Sequence, residues 1–137
     1  MLKRSSRGDL VRELERLTLG LLFISESDFP LNVVVWRQPG APPSARRLAA
    51  LTGEPHPDLV QEMTIDQFFR NATTPRPWHD ADEQTVVRRY AGVVHFLKTR
   101  LTSVRVFRFG RLTIHAYVIG TDPGGDWIGL ATTQIET

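Results

Sequence analysis

"VRVFRFGRLTIHAYVIGTDPGGDWIGLATTQIET", residues 104–137, decides the fold. It holds three strand-like runs in close succession, "VRVFRF", "LTIHAYVIG" and "WIGLATTQI", rich in β-branched and aromatic residues. The dipeptide Gly110–Arg111 signals a tight hairpin between the first two, and "TDPGGD" turns the second into the third. Leu112, Ile114, Ala116 and Val118 alternate to give one apolar face, and Tyr117 with Ile119 makes the opposite face partly apolar. A sheet with two apolar faces needs a layer on each side. The last run continues almost to Thr137, so that residue is expected to be held near a sheet end.

Working back along the chain, the covering layers are found. The clearest helix opens at a capping pair, Asp80 and Glu83, and carries Val86, Tyr90, Val94, Leu97 and Leu101 at helical spacing over about 20 residues, roughly 30 Å. "TIDQFFRNA" begins with a Thr64–Gln67 capping box and is expected to run for about two turns. "SARRLAALTG" reads as a short helix from a Ser44 cap to Gly53, and "LVQEM" as a short strand. "GDLVRELERLTLGLLF" places Leu10, Leu14, Leu17 and Leu21 on one helical face, with Asp9 or Ser6 as the cap and Gly20 as the stop. "ISESDFP" bridges this helix to "LNVVVWR", a continuous apolar run that reads as a strand buried on both faces. "QPGAPP", "EPHPD" and "TTPRPW" are proline-broken connections.

Together these elements predict one α+β domain over residues 1–137: a three-layer α-β-α sandwich around a mainly antiparallel sheet. Hydrophobic residues make up 41% of the chain and charged residues 23%, a globular composition. The absence of cysteine excludes disulfides, thiol catalysis and a thiolate zinc site. Seventeen basic residues against 15 acidic leave a net charge of +2, a weak electrostatic case for binding nucleic acid or imitating it. No stretch has the pattern of a secretory signal or the length of a membrane span, so a cytoplasmic location is expected.

Catalytic chemistry is hard to assemble from these residues. The four histidines form no helical metal-ligand pair, and His79 with Asp80, Asp82 and Glu83 reads as a carboxylate-rich helix N-terminus. His115 lies on a strand beside aromatic residues and reads as a structural histidine. "TDPGGD" lacks both a phosphate loop's lysine and the twelve-residue calcium pattern. An enzyme is not expected. Two features stay open between a bland and a functional reading. Glu26 and Asp28 in "SESDFP" form either a polar turn or a contact loop, and Trp78 in "TTPRPWHD" is either core or a binding anchor.

"GLLFISESDFPLNVVVW", "APP", "IDQFFRNATTPRPW", "VFRFG", "AYVIGTDPGG" and "GLATTQIET", in this order and spacing, resemble the nuclease A inhibitor family. The resemblance implies a fold similar to that of the plant pathogenesis-related proteins. It also implies the function: a protein that blocks the active site of a Mg²⁺-dependent, sugar-non-specific nuclease in a one-to-one complex. Carried onto this chain, the family's contacts fall on Glu26, Trp78 and Thr137, with Glu136 and Arg76 beside them. Thr137 is implied to reach the nuclease's catalytic Mg²⁺, the protein having no cofactor of its own and no direct hold on nucleic acid or membrane. Arg76–Pro77 departs from the family pattern and sets an arginine beside the Trp78 contact. The alternative is a nucleic-acid-associated module using Arg88, Arg89, Lys98, Arg100, Arg105, Arg108 and Arg111.

Overall fold

The computed structural model describes residues 6–37 and 41–137; residues 38–40, the first half of the expected "QPGAPP" loop, lie outside the described residues, as do residues 1–5. The chain begins with helix α1 (Arg7–Thr18), which Ser6 and Asp9 cap reciprocally. A small antiparallel hairpin, β1 (Leu22–Ile24) and β2 (Asp28–Pro30), stands where "ISESDFP" suggested a plain bridge. Then come β3 (Asn32–Trp36), α2 (Ala45–Thr52) and β4 (Val60–Met63). Two single-turn helices follow, α3 (Ile65–Phe68) and α4 (Arg70–Thr73), in place of one continuous two-turn helix. Phe69 interrupts them with a bridge-region backbone, φ −95° and ψ 7°. The long helix α5 (Ala81–Arg100) carries the expected Asp80–Glu83 capping box. Strands β5 (Thr102–Phe109), β6 (Thr113–Thr121) and β7 (Trp127–Ile135) complete the chain.

The five main strands form one antiparallel sheet in the order β3-β7-β6-β5-β4. The register aligns Val106, Val118 and Leu130 across three strands on one face. That face packs with Leu10 and Leu14 of α1, Phe68 and Phe69, and Tyr90, Val93, Phe96 and Leu97 of α5. The other face carries Phe107, Phe109, Ile119 and Trp127 against Leu48 and Ala49 of α2. Helices therefore cover both faces of an α+β sheet, as the two apolar faces of β6 require.

Three expectations change in detail. "NVVVW" is an edge strand, paired among the described residues only with β7, and is half-exposed rather than buried on both faces. Its sides are apolar because Val33 meets one core and Val34 and Trp36 the other, while the open edge admits solvent. On α5 the buried stripe runs through Val93 and Phe96, with Val86 left 37% exposed. Leu112 lies in the β5–β6 turn and is exposed, not part of the apolar face of β6. Gly110 makes that turn possible with φ +107°, because a Cβ there would stand 2.3 Å from the Thr113 carbonyl oxygen.

Candidate functional site

The sheet carries the end of β7 outward and the β1–β2 hairpin meets it there. Ser25 sits at the hairpin tip, and its hydroxyl donates to the Ser27 carbonyl at 2.8 Å while accepting from the Ile135 amide at 3.0 Å. The Glu26 amide returns a bond to the Ile135 carbonyl at 3.3 Å. Ser25 and Glu26 thus take up the hydrogen-bonding groups of Ile135, beyond the last β3–β7 pair at Asn32 and Ala131. Glu26 and Thr137 are brought face to face as a result. The Thr137 amide donates to Glu26 Oε1 at 3.0 Å, and its hydroxyl stands 2.7 Å from each carboxylate oxygen. Hydrogen bonds from the Thr137 hydroxyl, then from its amide, hold the Glu26 carboxyl below its ordinary range although both residues are exposed.

Glu136 points away from this pair. Its amide donates to the Leu112 carbonyl at 2.9 Å, and its carboxylate is bound by Arg108. The Arg108 guanidinium also donates to Gln134 Oε1 at 2.9 Å and Gln61 Oε1 at 2.5 Å, and its side chain is only 11% exposed. The end of the chain is therefore clamped on one side by the SES loop and on the other by Arg108 and the β5–β6 turn. Neither Arg108 nor Ser25 was legible as a clamp in the sequence. Their partners lie 28 and 110 residues away, and only the strand register brings them together.

Trp78 is 73% exposed, which removes the core reading. It occupies the third position of a tight turn, Arg76-Pro77-Trp78-His79, where proline suits the second position. The His79 amide donates to the Arg76 carbonyl at 3.1 Å, and the Arg76 amide donates back to His79 Nδ1 at 3.1 Å. His79 is thus a turn-closing residue, and its ring meets the Trp78 ring edge-on with centroids 6.2 Å apart. Among the described residues no hydrogen bond or ring contact joins Trp78 or Arg76 to the Glu26–Thr137 pair. A groove lies between the two regions, lined by Leu22 and Ile24 of the hairpin, His79, Asp82 and Val86, and Gln134 of β7.

Other candidates resolve into structure. No group of metal-ligating side chains capable of holding an ion occurs among the described residues. The "TDPGGD" segment is a turn closed by Asp122, and Arg7 of α1 reaches Asp126 at 2.6 Å. His115 Nδ1 lies 2.9 Å from Glu54 Oε1, which also accepts from the Tyr117 hydroxyl at 2.9 Å. Burial first, and the Glu54 bond after it, push the Tyr117 phenol up to about 12. Four cations of the nucleic-acid reading are engaged within the fold. Arg105 pairs with Glu62 at 2.6 Å, Lys98 with Asp66 at 2.9 Å, Arg89 serves the Leu17 and Leu19 carbonyls, and Arg108 is the clamp described above. No helix among the described residues is long and apolar enough to cross a membrane.

These features define a class: an α-β-α sandwich that presents an oxygen-rich tip at the edge of its sheet, beside an exposed tryptophan on a stiff turn. The chain belongs to the nuclease A inhibitor-like protein family, whose model matches residues 8–137. The family's name points to a nuclease as the partner. No curated protein matches the chain.

Proposed function

We propose that the protein inhibits a Mg²⁺-dependent, sugar-non-specific nuclease by inserting the Glu26–Thr137 tip into the enzyme's active site, in a one-to-one complex. The observation that carries this reading is the bonding of the Thr137 hydroxyl. Its proton is directed at the Glu26 carboxylate, which leaves oxygen lone pairs free to face outward. Mg²⁺ favours hard oxygen ligands and keeps exchangeable waters that substrate phosphate normally replaces. A hydroxyl polarised by a carboxylate suits that vacancy, and it brings negative charge to a place built for a phosphodiester. Trp78 contributes a flat apolar anchor, and the stiff Arg76–His79 turn lowers the entropy lost on docking. Arg76 and Glu136 border the contact, and Glu136 acts through its link to Arg108. The clamped tip is organised before the partner arrives, as a tight plug requires.

The test is a plasmid-degradation assay with a purified Mg²⁺-dependent, sugar-non-specific endonuclease and increasing amounts of this protein. Complete loss of nicking at equimolar protein, with no tight salt-sensitive binding of the protein to an oligonucleotide, is the expected result. Nicking that continues at a large molar excess would exclude the reading. Tight oligonucleotide binding that weakens steeply with salt would favour the nucleic-acid-associated alternative.

A further inference from the structure

The groove between the hairpin and the first half of α5 encloses about 510 Å³, and the tip alone leaves it unexplained. Its floor is apolar, formed by Phe23, Phe68 and Tyr90, and its walls leave Leu22 at 45%, Ile24 at 71% and Val86 at 37% exposure. Its lip is acidic. Asp82 and Val86 stand one helical turn apart on the same side of α5, with Glu83 next to Asp82. Among the described residues Asp82 and Glu83 meet no arginine or lysine, and Glu83 receives only the Asp80 amide of the capping box at 3.1 Å. Arg76, the cation of the neighbouring turn, does not line the groove.

An apolar trough with unmatched carboxylates at its lip is complementary to one kind of side chain: a long aliphatic stem ending in a cation. Lysine and arginine lay their methylenes along apolar surface and keep the charged head at a polar rim. A nuclease that grips the phosphate backbone without reading sugar or base surrounds its active site with such residues. Ile24 lines the groove two residues before Glu26, and Gln134 lines it three residues before Thr137, so the groove opens beside the tip. We propose that this groove is a second docking subsite, which captures an arginine or lysine from the rim of the nuclease's substrate cleft. The subsite rests on the inhibitor reading above. It gives the inhibitor a hold on the enzyme's phosphate-gripping cations that is separate from its hold on the metal.

Two substitutions test it in the same plasmid assay. Val86→Lys, four residues after Asp82, supplies the cation from the inhibitor's own helix and fills the groove. Asp82→Asn removes a lip charge without altering the capping box of Asp80 and Glu83. The inhibition constant should weaken about 10-fold or more for each variant, more at low salt for Asp82→Asn, with unchanged melting temperature. Asp58→Asn, at an exposed acid outside the groove, should change nothing. Variants that inhibit as the parent does, while deletion of Thr137 abolishes inhibition, would empty the groove of its role and leave the tip mechanism standing. Failure of the parent protein to inhibit would remove the inhibitor reading itself, and the subsite with it. A dimer of the parent protein in sedimentation, dispersed by Val86→Lys, would assign the groove to a second copy of this chain and overturn the proposal.

Discussion

The hydroxyl oxygen of Thr137 is equidistant from the two carboxylate oxygens of Glu26, at 2.7 Å, although the residues are 111 positions apart in the chain. Glu26 lies in the β1–β2 turn and Thr137 just beyond β7, and the bonds of Ser25 and Glu26 to Ile135 bring the two together. This contact separates what holds the fold from what would meet a partner. Removing Thr137 breaks three exposed hydrogen bonds and no core contact. Deletion should therefore change stability by no more than about 0.5 kcal/mol while weakening inhibition by about 2 kcal/mol or more. Thr137→Ser, which keeps the hydroxyl, should stay near the parent. Inhibition constants and melting temperatures of the two variants check this together.

The same contact has a definite pH dependence. The Glu26 carboxyl is held below its usual value of 4.5 because the folded chain donates to its ionised form, through the Thr137 hydroxyl first and the amide second. A depressed carboxyl value means that the link is fully present above the unfolded value and is lost as pH falls through the folded one. The Glu26 side-chain carboxyl carbon, followed by NMR, should therefore titrate with a midpoint below 4.5 and stay constant from above that midpoint to neutral pH. Glu26→Gln should abolish that transition. A midpoint at or above 4.5 would show that the pair does not persist in solution.

Arg108 acts on the tip from behind. It binds Gln134, Gln61 and Glu136 at once, and a lysine cannot reproduce that fork. Arg108→Ala leaves three acceptors without their donor and should cost about 1–3 kcal/mol of stability. A purely structural arginine would do no more than that. Loss of a positioning arginine also speeds amide exchange at Glu136 and Thr137 and weakens inhibition under conditions where the variant is fully folded. Arg108→Lys should fall between the two in each measurement.

The SES loop is held from below by an aromatic cluster. Phe23 of β1 stacks on Phe68 with centroids 4.5 Å apart, and Phe69 meets Phe23, Phe68 and Tyr90 while fully buried. Phe69→Ala should cost about 3–5 kcal/mol, read as a lowered denaturant midpoint with little change in slope. Because Phe69 carries the break between α3 and α4, a smaller residue there also loosens α4 against α5.

What was legible in the sequence divides by range. Caps and turns are local, so the Ser44, Thr64 and Asp80 caps and the β5–β6–β7 meander could be read from neighbours in the chain. The two apolar faces of β6 required helices on both sides. Edge position is not local, and "NVVVW" looks the same at an edge as at a sheet centre, because the two cores touch opposite sides of it. The hairpin at 22–30 was missed because a strand of three residues shows no period, and because the serines that close it also suit an ordinary turn. Glu26 and Trp78 stood out from the residues, as a polar loop and as a tryptophan in a proline-stiffened turn, but their role as contacts, and that of Thr137, came from family resemblance. Arg108 was visible only as one arginine among many, since its partners are supplied by β4 and β7.

Trp78 separates a folding role from a binding role. At 73% exposure, it buries too little surface for truncation to unfold the chain, and the turn that carries it is closed by backbone and His79 bonds that do not involve its ring. Trp78→Ala should leave the melting temperature within about 2 °C and weaken inhibition by about 2 kcal/mol or more, the behaviour of an aromatic anchor at an interface. His79→Ala attacks the turn instead: it removes the acceptor for the Arg76 amide and should reduce inhibition through a loosened Trp78, with a smaller effect than loss of the indole itself. Trp78→Phe, which keeps a ring in the same stiff turn, should recover part of the loss. If Trp78→Ala lowers the melting temperature and leaves inhibition intact, the indole belongs to the fold, and the docking surface is confined to the tip and the groove.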